Sequence, residues 1–379
     1  MDNFCPAPWM SMFCQIDRIS VCCANGDNLK MSPNEFRSSD YLSNLKAQFL
    51  AGEKPKSCNG CWTREQANLI SIRSHYKNNF PKYTREFFNE HTELPVEHME
   101  LRTSNLCNFQ CRMCHPKNSV EIAREFEDNT ELQKYFKPQP SSIMETTSED
   151  WSEIFNISLE TKRLFLTGGE PLLIKQYYDL LDHLILNNRC ETTVLDIYTN
   201  CSVYNPKFMD RISQFKRVKF NLSIDAVGKV AEYQRYGTVW NTVEENALKF
   251  CSFPNIFPAI QTTMTAYAVL GISSLADFYL QMLEKNSKMQ FMVHVAYNPK
   301  GINHMNLPIA LKEKAIEQID LAVSKLTAKP FDTVRGEFQS IKKQLLNNTD
   351  TDVDFIHLTK TYDQSRNQKF EDVFNFKLY

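Results

Sequence analysis

The stretch Cys107 to Cys114, reading CNFQCRMC, constrains this chain more than any other. Three cysteines at this spacing hold three irons of a [4Fe–4S] cube and leave the fourth iron without a protein ligand. A cluster that only carries electrons takes four cysteines, so a missing fourth leaves a position where something else binds. Zinc and three ordinary buried thiols are the other readings of the same spacing. Zinc wants a fourth Cys or His, and His115, directly after Cys114, is awkwardly placed to supply it. A second stretch, Thr167 to Pro171 (TGGEP), sets two glycines where backbone can approach a ligand closely.

Together the two stretches resemble the signatures of the radical SAM superfamily. Its CxxxCxxC loop usually carries an aromatic residue before the third cysteine, where this chain has Met113, and its GGEP motif meets the amino group of S-adenosylmethionine (SAM). The resemblance implies that Cys107, Cys111 and Cys114 ligate a [4Fe–4S] cluster whose open iron SAM chelates. It also implies a cofactor-contacting set of Met113, Gly168, Gly169, Glu170, Asn200, Ser223, Asp225 and Arg235. Gly168, Gly169 and Glu170 would hold the methionine amino end, and Asn200, Ser223 and Asp225 would lie near the ribose or methionyl portion. Arg235, in YQRYG, would pair with the carboxylate, a task that suits its planar fork. Read without the resemblance, Asp225 is a helix cap and Arg235 a surface charge. The implied chemistry is reductive cleavage of SAM to a 5'-deoxyadenosyl radical that abstracts hydrogen from the substrate. A reductase or a flavodoxin or ferredoxin would donate the electron. No residue is assigned as catalytic.

Hydrophobic residues at 42% and aromatics at 12% of 379 residues fit a folded protein with a large core and an appended module or second domain. A net charge of -2 gives no electrostatic footprint for nucleic acid. No apolar run approaches membrane-span length, and the beginning MDNFCPAPW has neither a charged nor an apolar signal region. The expectation is a soluble, cytoplasmic protein whose clustered thiols bind metal. Cys190, Cys201 and Cys251 stand apart and are read as packing or incidental thiols.

Residues 1–92 carry Cys5, Cys14, the pair Cys22 and Cys23, then Cys58 and Cys61 in CNGC, where Gly60 is expected to allow a turn. Cys5, Cys22, Cys58 and Cys61 make a complete four-thiolate site, which spacing alone assigns equally to zinc or to a cluster. The pattern CPAPW, CC, CNGCWTREQANLISIR resembles the twitch module, a short form of the SPASM domain, with Cys5, Pro8, Trp9, Cys22 or Cys23, Cys58, Cys61, Glu65, Ser71 and Arg73 at matching positions. The resemblance implies an auxiliary iron–sulfur cluster. The module precedes the core instead of following it, and Asp17 stands where the family has glycine.

Beyond residue 92 strands and helices alternate. Strands are predicted at 98–105, 162–167, 194–199, 217–224, 260–267 and 291–297, and helices at 119–136, 149–159, 172–186, 238–250 and behind a cap at Ser273 and Ser274. This calls for an α/β fold with a parallel sheet, the partial (β/α)6 TIM-like barrel of the radical SAM fold over 93–307. The cysteine loop, TGGEP, TNC at 199–201 and SID at 223–225 all fall at carboxyl ends of strands, where such barrels build active sites. A C-terminal helical extension follows over 308–379, with helices after Pro308 and at 335–347, a polar linker at 347–352, and a tail whose Asp363 and Arg366 match family positions but read as helix-surface charges. The lead expectation is oxidative modification of a peptide or protein side chain, with an auxiliary cluster as electron acceptor. Dehydrogenation or epimerisation of a sugar or other small molecule is the alternative, and a non-catalytic zinc or iron–sulfur protein is the rival class.

Overall fold

The computed structural model describes residues 3–66, 70–91, 93–347 and 353–379. Nearly all of the polar linker at 347–352 lies outside the described residues. The strands are β1 (Ser11–Gln15), β2 (Ile19–Ser20), β3 (His98–Arg102), β4 (Gln110–Cys111), β5 (Arg163–Leu166), β6 (Val194–Thr199), β7 (Val218–Leu222), β8 (Arg235–Tyr236), β9 (Ile256–Met264) and β10 (Gln290–Val295). Eight of them form one sheet in the order β10-β9-β7-β6-β5-β3-β1-β2, parallel throughout except where β2 turns back on β1. The fold is α/β, and the six strands read from the sequence are neighbours in chain order, as right-handed β-α-β crossovers require.

The helices used below are α1 (Asn59–Gln66), α2 (Ile72–Asn79), α3 (Val120–Glu127), α4 (Ser148–Ser158), α5 (Lys175–Leu186), α6 (Pro206–Ile212), α7 (Gly228–Gln234), α8 (Trp240–Cys251), α9 (Ile272–Lys285), α10 (Ile309–Lys325), α11 (Asp332–Asn347) and α12 (Val353–Arg366). Strand and helix fit because their apolar periods face each other. In β6, Leu195 and Ile197 alternate with Asp196 and Tyr198, and α5 turns Tyr177, Leu180, Leu181 and Leu184 into the core, all fully buried. Each such leucine contributes about 2 kcal/mol relative to exposure.

Four features differ from the sequence reading. The helix expected over 119–136 stops at Glu127, because the Asn129 side chain accepts from the backbone N–H groups of Glu131 and Leu132 and turns the chain into a short 3-10 segment. β9 begins at Ile256, four residues early: Pro258 is tolerated because β10 starts pairing only at Ala259, so the missing N–H falls where β9 is still an edge. The cap expected at Ser273 and Ser274 is absent: α9 begins at Ile272 with both serines inside it, and its N-cap is Gly271. β1 went unseen because four of its five residues are buried, so no polar alternation marks it; it pairs with β3 from Ser11 opposite His98 to Gln15 opposite Arg102. The N-terminal cysteine region is thereby hydrogen-bonded into the barrel sheet.

Candidate cluster and cofactor site

The loop Cys107–Cys114 leaves the carboxyl end of β3, and its middle is fixed by a small second sheet in which β4 pairs with β8, Cys111 opposite Arg235. Cys111 is buried, and Cys107 and Cys114 are half-buried. Burial pushes all three thiols up, Cys111 to about 12, and Cys111 and Cys114 lie close enough to Cys107 to raise it further. Such sulfurs ionise when a metal takes the proton's place. Two donors approach them: Arg235 Nη1 lies 3.7 Å from Cys111 Sγ, and Asn200 Nδ2 lies 3.9 Å from Cys107 Sγ.

The glycines of TGGEP serve the chain itself. Gly168 and Gly169 sit at φ +79° and +47°, and a Cβ on Gly169 would collide with the Leu106 carbonyl, while one on Gly168 would strike Arg102. The end of β5 is thus pressed under the residue that precedes the cysteine loop, and Glu170 N–H donates to Leu106 O at 2.8 Å. The Glu170 carboxylate is 0% exposed and accepts from Thr199 Oγ1 (2.8 Å), Asn200 N (2.7 Å) and Leu172 N (3.2 Å). Burial pushes it up to about 7, against the pull of those bonds. It ties the end of β5 to the end of β6 and so fixes Asn200.

Asp225 is buried and accepts from Arg235 in a two-pronged pair (2.6 and 3.0 Å), from Gln234 Nε2 (2.7 Å) and from Thr263 N (2.7 Å). It is therefore an ion-pair partner and not a helix cap, and Arg235, half-buried, is not a surface charge. Asn200, Ser223, Asp225 and Arg235 line one small cavity, together with Thr238 and Trp240. Met113 is half-buried against the core.

Sequence reasoning missed what holds the loop from behind. Arg112, between two cysteines, is fully buried; it donates to Tyr233 O (2.9 Å), Asp363 Oδ1 (2.7 Å) and Gln368 Oε1 (2.9 Å), and its guanidinium lies 3.7 Å from the Tyr233 ring centroid. Asp363 and Arg366 are 2% and 6% exposed, so the surface-charge reading is corrected: α12 packs its charges inward because Arg112 and Glu125 wait there. The signal available was their match to family positions.

In the first 92 residues, Cys5, Cys22, Cys58 and Cys61 line one small cavity with Asn25 and Arg73, while Cys23 is exposed. Burial pushes Cys5 up to about 12 and Cys58 up to about 11. Gly60 does not make a turn: it lies in α1, where an added Cβ meets ordinary contact, and the helix-like i, i+3 spacing of Cys58 and Cys61 brings both sulfurs to one side. Glu65, Ser71 and Arg73 form one unit. Arg73 pairs with Glu65, Ser71 donates to it, Arg73 Nη1 reaches Phe4 O at 2.9 Å beside Cys5, and its guanidinium lies 4.8 Å from the Trp62 ring centroid. Among the described residues no three His, Cys, Asp or Glu side chains gather as tightly as one metal ion requires.

Residues 101–253 match the model of the Radical SAM superfamily. The chain carries a radical SAM domain. The cofactors of such a domain are a [4Fe–4S] cluster and SAM, and the donor set of the loop fits them: three thiols on one short loop, one ion-paired arginine beside them and an adjoining cavity lined by Asn200, Ser223 and Asp225. Two strains of Staphylococcus epidermidis have a GTP 3',8-cyclase 27% identical over 135 residues, 35% of this chain and 35% of the relative. The chain spans about a third of the length of the curated relatives it matches. Among solved structures, SuiB of Streptococcus suis bound to its precursor peptide SuiA is 15% identical with a TM-score of 0.40, covering 75% of this chain and 59% of SuiB. The methyltransferase TsrM of Kitasatospora setae, with cobalamin and a [4Fe–4S] cluster bound, is 14% identical with a TM-score of 0.35, covering 51% and 34%. Among the described residues no helix is long and apolar enough to cross a membrane.

Proposed function

We propose that the protein is a radical SAM enzyme with Cys107, Cys111 and Cys114 as ligands of the catalytic cluster and with the segment Gly168–Glu170, Asn200, Ser223, Asp225 and Arg235 around SAM. The observation that carries this reading is the common cavity of Asn200, Ser223, Asp225 and Arg235 beside the cysteine loop, reached by Arg235 Nη1 at 3.7 Å from Cys111 Sγ. Bound there, the cofactors supply reductive cleavage of SAM and removal of a hydrogen atom from the substrate. The chain's own part is positional. The Arg235–Asp225 pair keeps a guanidinium beside Cys111, Glu170 holds Asn200 in place, and Arg112 fixes the loop from behind.

Cys5, Cys22, Cys58 and Cys61 form a second site, for an auxiliary iron–sulfur cluster. Four thiols around one cavity close it, which favours accepting an electron over binding substrate. The reaction is then a two-electron oxidation, with a peptide or protein side chain as lead substrate and a sugar or other small molecule as alternative, fed by a flavodoxin, ferredoxin or reductase. The deciding experiment compares two variants under anaerobic reduction. Cys111→Ala should release no 5'-deoxyadenosine, whereas Cys58→Ala should still form it and lose product. Release by Cys111→Ala at the wild-type rate would end the reading.

A further inference from the structure

The inward face of the sheet is unlike a packed barrel interior, whose layers are normally branched aliphatics. The residues turned outward, such as Leu164, Leu195, Ile197 and Phe220, are fully buried under the helices. Those turned inward include Glu100, Arg163, Asp196, Lys219, Gln261 and His294, and several are part open: Glu100, Arg163 and Lys219 are half-buried and His294 is exposed. Register aligns Glu100, Phe165, Asp196, Lys219 and Phe257 across five strands. Helices α1 and α2 bring Arg64 and His75 toward this inward face, the chamber of the sheet. His75 of α2 lies within electrostatic reach of Arg163, Lys219 and Asp196, and Arg64 of α1 and Lys219 both act on His294.

Four cations, Arg64, Arg102, Arg163 and Lys219, thus stand with the carboxylates of Glu100 and Asp196, while Asp225, which also acts on His294, is taken up by Arg235. Both carboxylates are engaged by arginines: Asp196 Oδ2 takes Arg163 Nε at 2.6 Å, and Glu100 lies 3.7 Å from Arg102. Lys219 has no carboxylate within ion-pair distance among the described residues; its Nζ lies 3.9 Å from Met292 Sδ, and burial lowers its pKa. Next to it runs a polar chain in which Gln261 Nε2 donates to Asn221 Oδ1 (2.8 Å) and Gln261 Oε1 meets His294 Nε2 (2.8 Å). Asp196, the carboxylate that acts on Lys219 from the neighbouring strand, is already paired with Arg163, so an ammonium partly withdrawn from water stays short of negative charge until an anion arrives.

We propose that this chamber selects a substrate carrying an anionic group, a carboxylate or a phosphate, which docks against Lys219 with Arg163 and His294 alongside. The assignment deepens the enzymatic reading above and rests on it for the word substrate; the anion site itself is testable apart from catalysis. Anaerobic holoprotein is dialysed to equilibrium against labelled orthophosphate and, separately, labelled glutarate. At least one probe should bind saturably at one site per chain, weaken tenfold or more in Lys219→Met, and recover in Lys219→Arg. Orthophosphate alone points to a phosphorylated substrate, glutarate alone to a carboxylate, and both to a site that reads charge only. No saturable binding by wild type, or equal binding by Lys219→Met, overturns the proposal. Should Lys219→Met fail to fold, acetylation of Lys219 in wild type decides: the probes should slow it, and an unchanged rate overturns the proposal. Release of 5'-deoxyadenosine by wild type is scored independently, so failure of the radical reading and failure of the anion site remain distinct.

Discussion

The two cysteine sites are built on opposite plans. The loop site takes three thiols from eight consecutive residues, and each neighbour in the chain has a job: Leu106 seats on Gly169, Arg112 anchors to Asp363, and Cys111 pairs across to Arg235. The N-terminal site gathers Cys5, Cys22, Cys58 and Cys61 from separate elements, and its ring exists only once β1, β2, α1 and α2 have packed. Both keep an ion-paired arginine at the rim, Arg235 with Asp225 and Arg73 with Glu65.

That contrast can be broken at several points. Replacing Cys107, Cys111 and Cys114 together should lower iron in reconstituted protein from about eight to about four per chain; iron falling to none, with zinc retained, would make the N-terminal site a zinc scaffold and turn attention to redox-neutral radical reactions. Asp363→Ala strips Arg112 of its counter-ion inside the core and should destabilise the fold by about 3–5 kcal/mol, read as a shift of the urea midpoint. An unshifted midpoint would mean that the loop is held without α12. Gly169→Ala asks a side chain to sit at φ +47° against Leu106. It should cost about 1–3 kcal/mol and loosen iron in the loop site alone, whereas equal loss from both sites would show that they are not independent. The smallest effect is expected from Cys23→Ala, which should keep full iron content while Cys22→Ala loses the auxiliary share; the reverse pattern would exchange the two assignments.

The difference in plan also explains what could be read in advance. Barrel strands such as β6 announced themselves by alternating a helix-packed face with a more polar one, Leu195 and Ile197 against Asp196 and Tyr198. β1 was silent because it is covered on both sides. The short helices α6 and α7 fall where the sequence reading assigns no element, since seven residues give barely two turns of period. Asp363 and Arg366 look like any charged pair on a helix until Arg112 and Glu125 are found opposite them.

The sequence by itself determined the cysteine loop, the glycine turn behind it and the order of alternating strands, because these are set by spacing and period along the chain. Tertiary structure decided the rest. Which of Cys22 and Cys23 faces the other thiols, which carboxylate neutralises Arg112 and Arg235, and that Lys219 is left facing an open chamber all depend on segments far apart in the chain meeting in space, and neither charge nor burial is a property of a residue until its neighbours are in place.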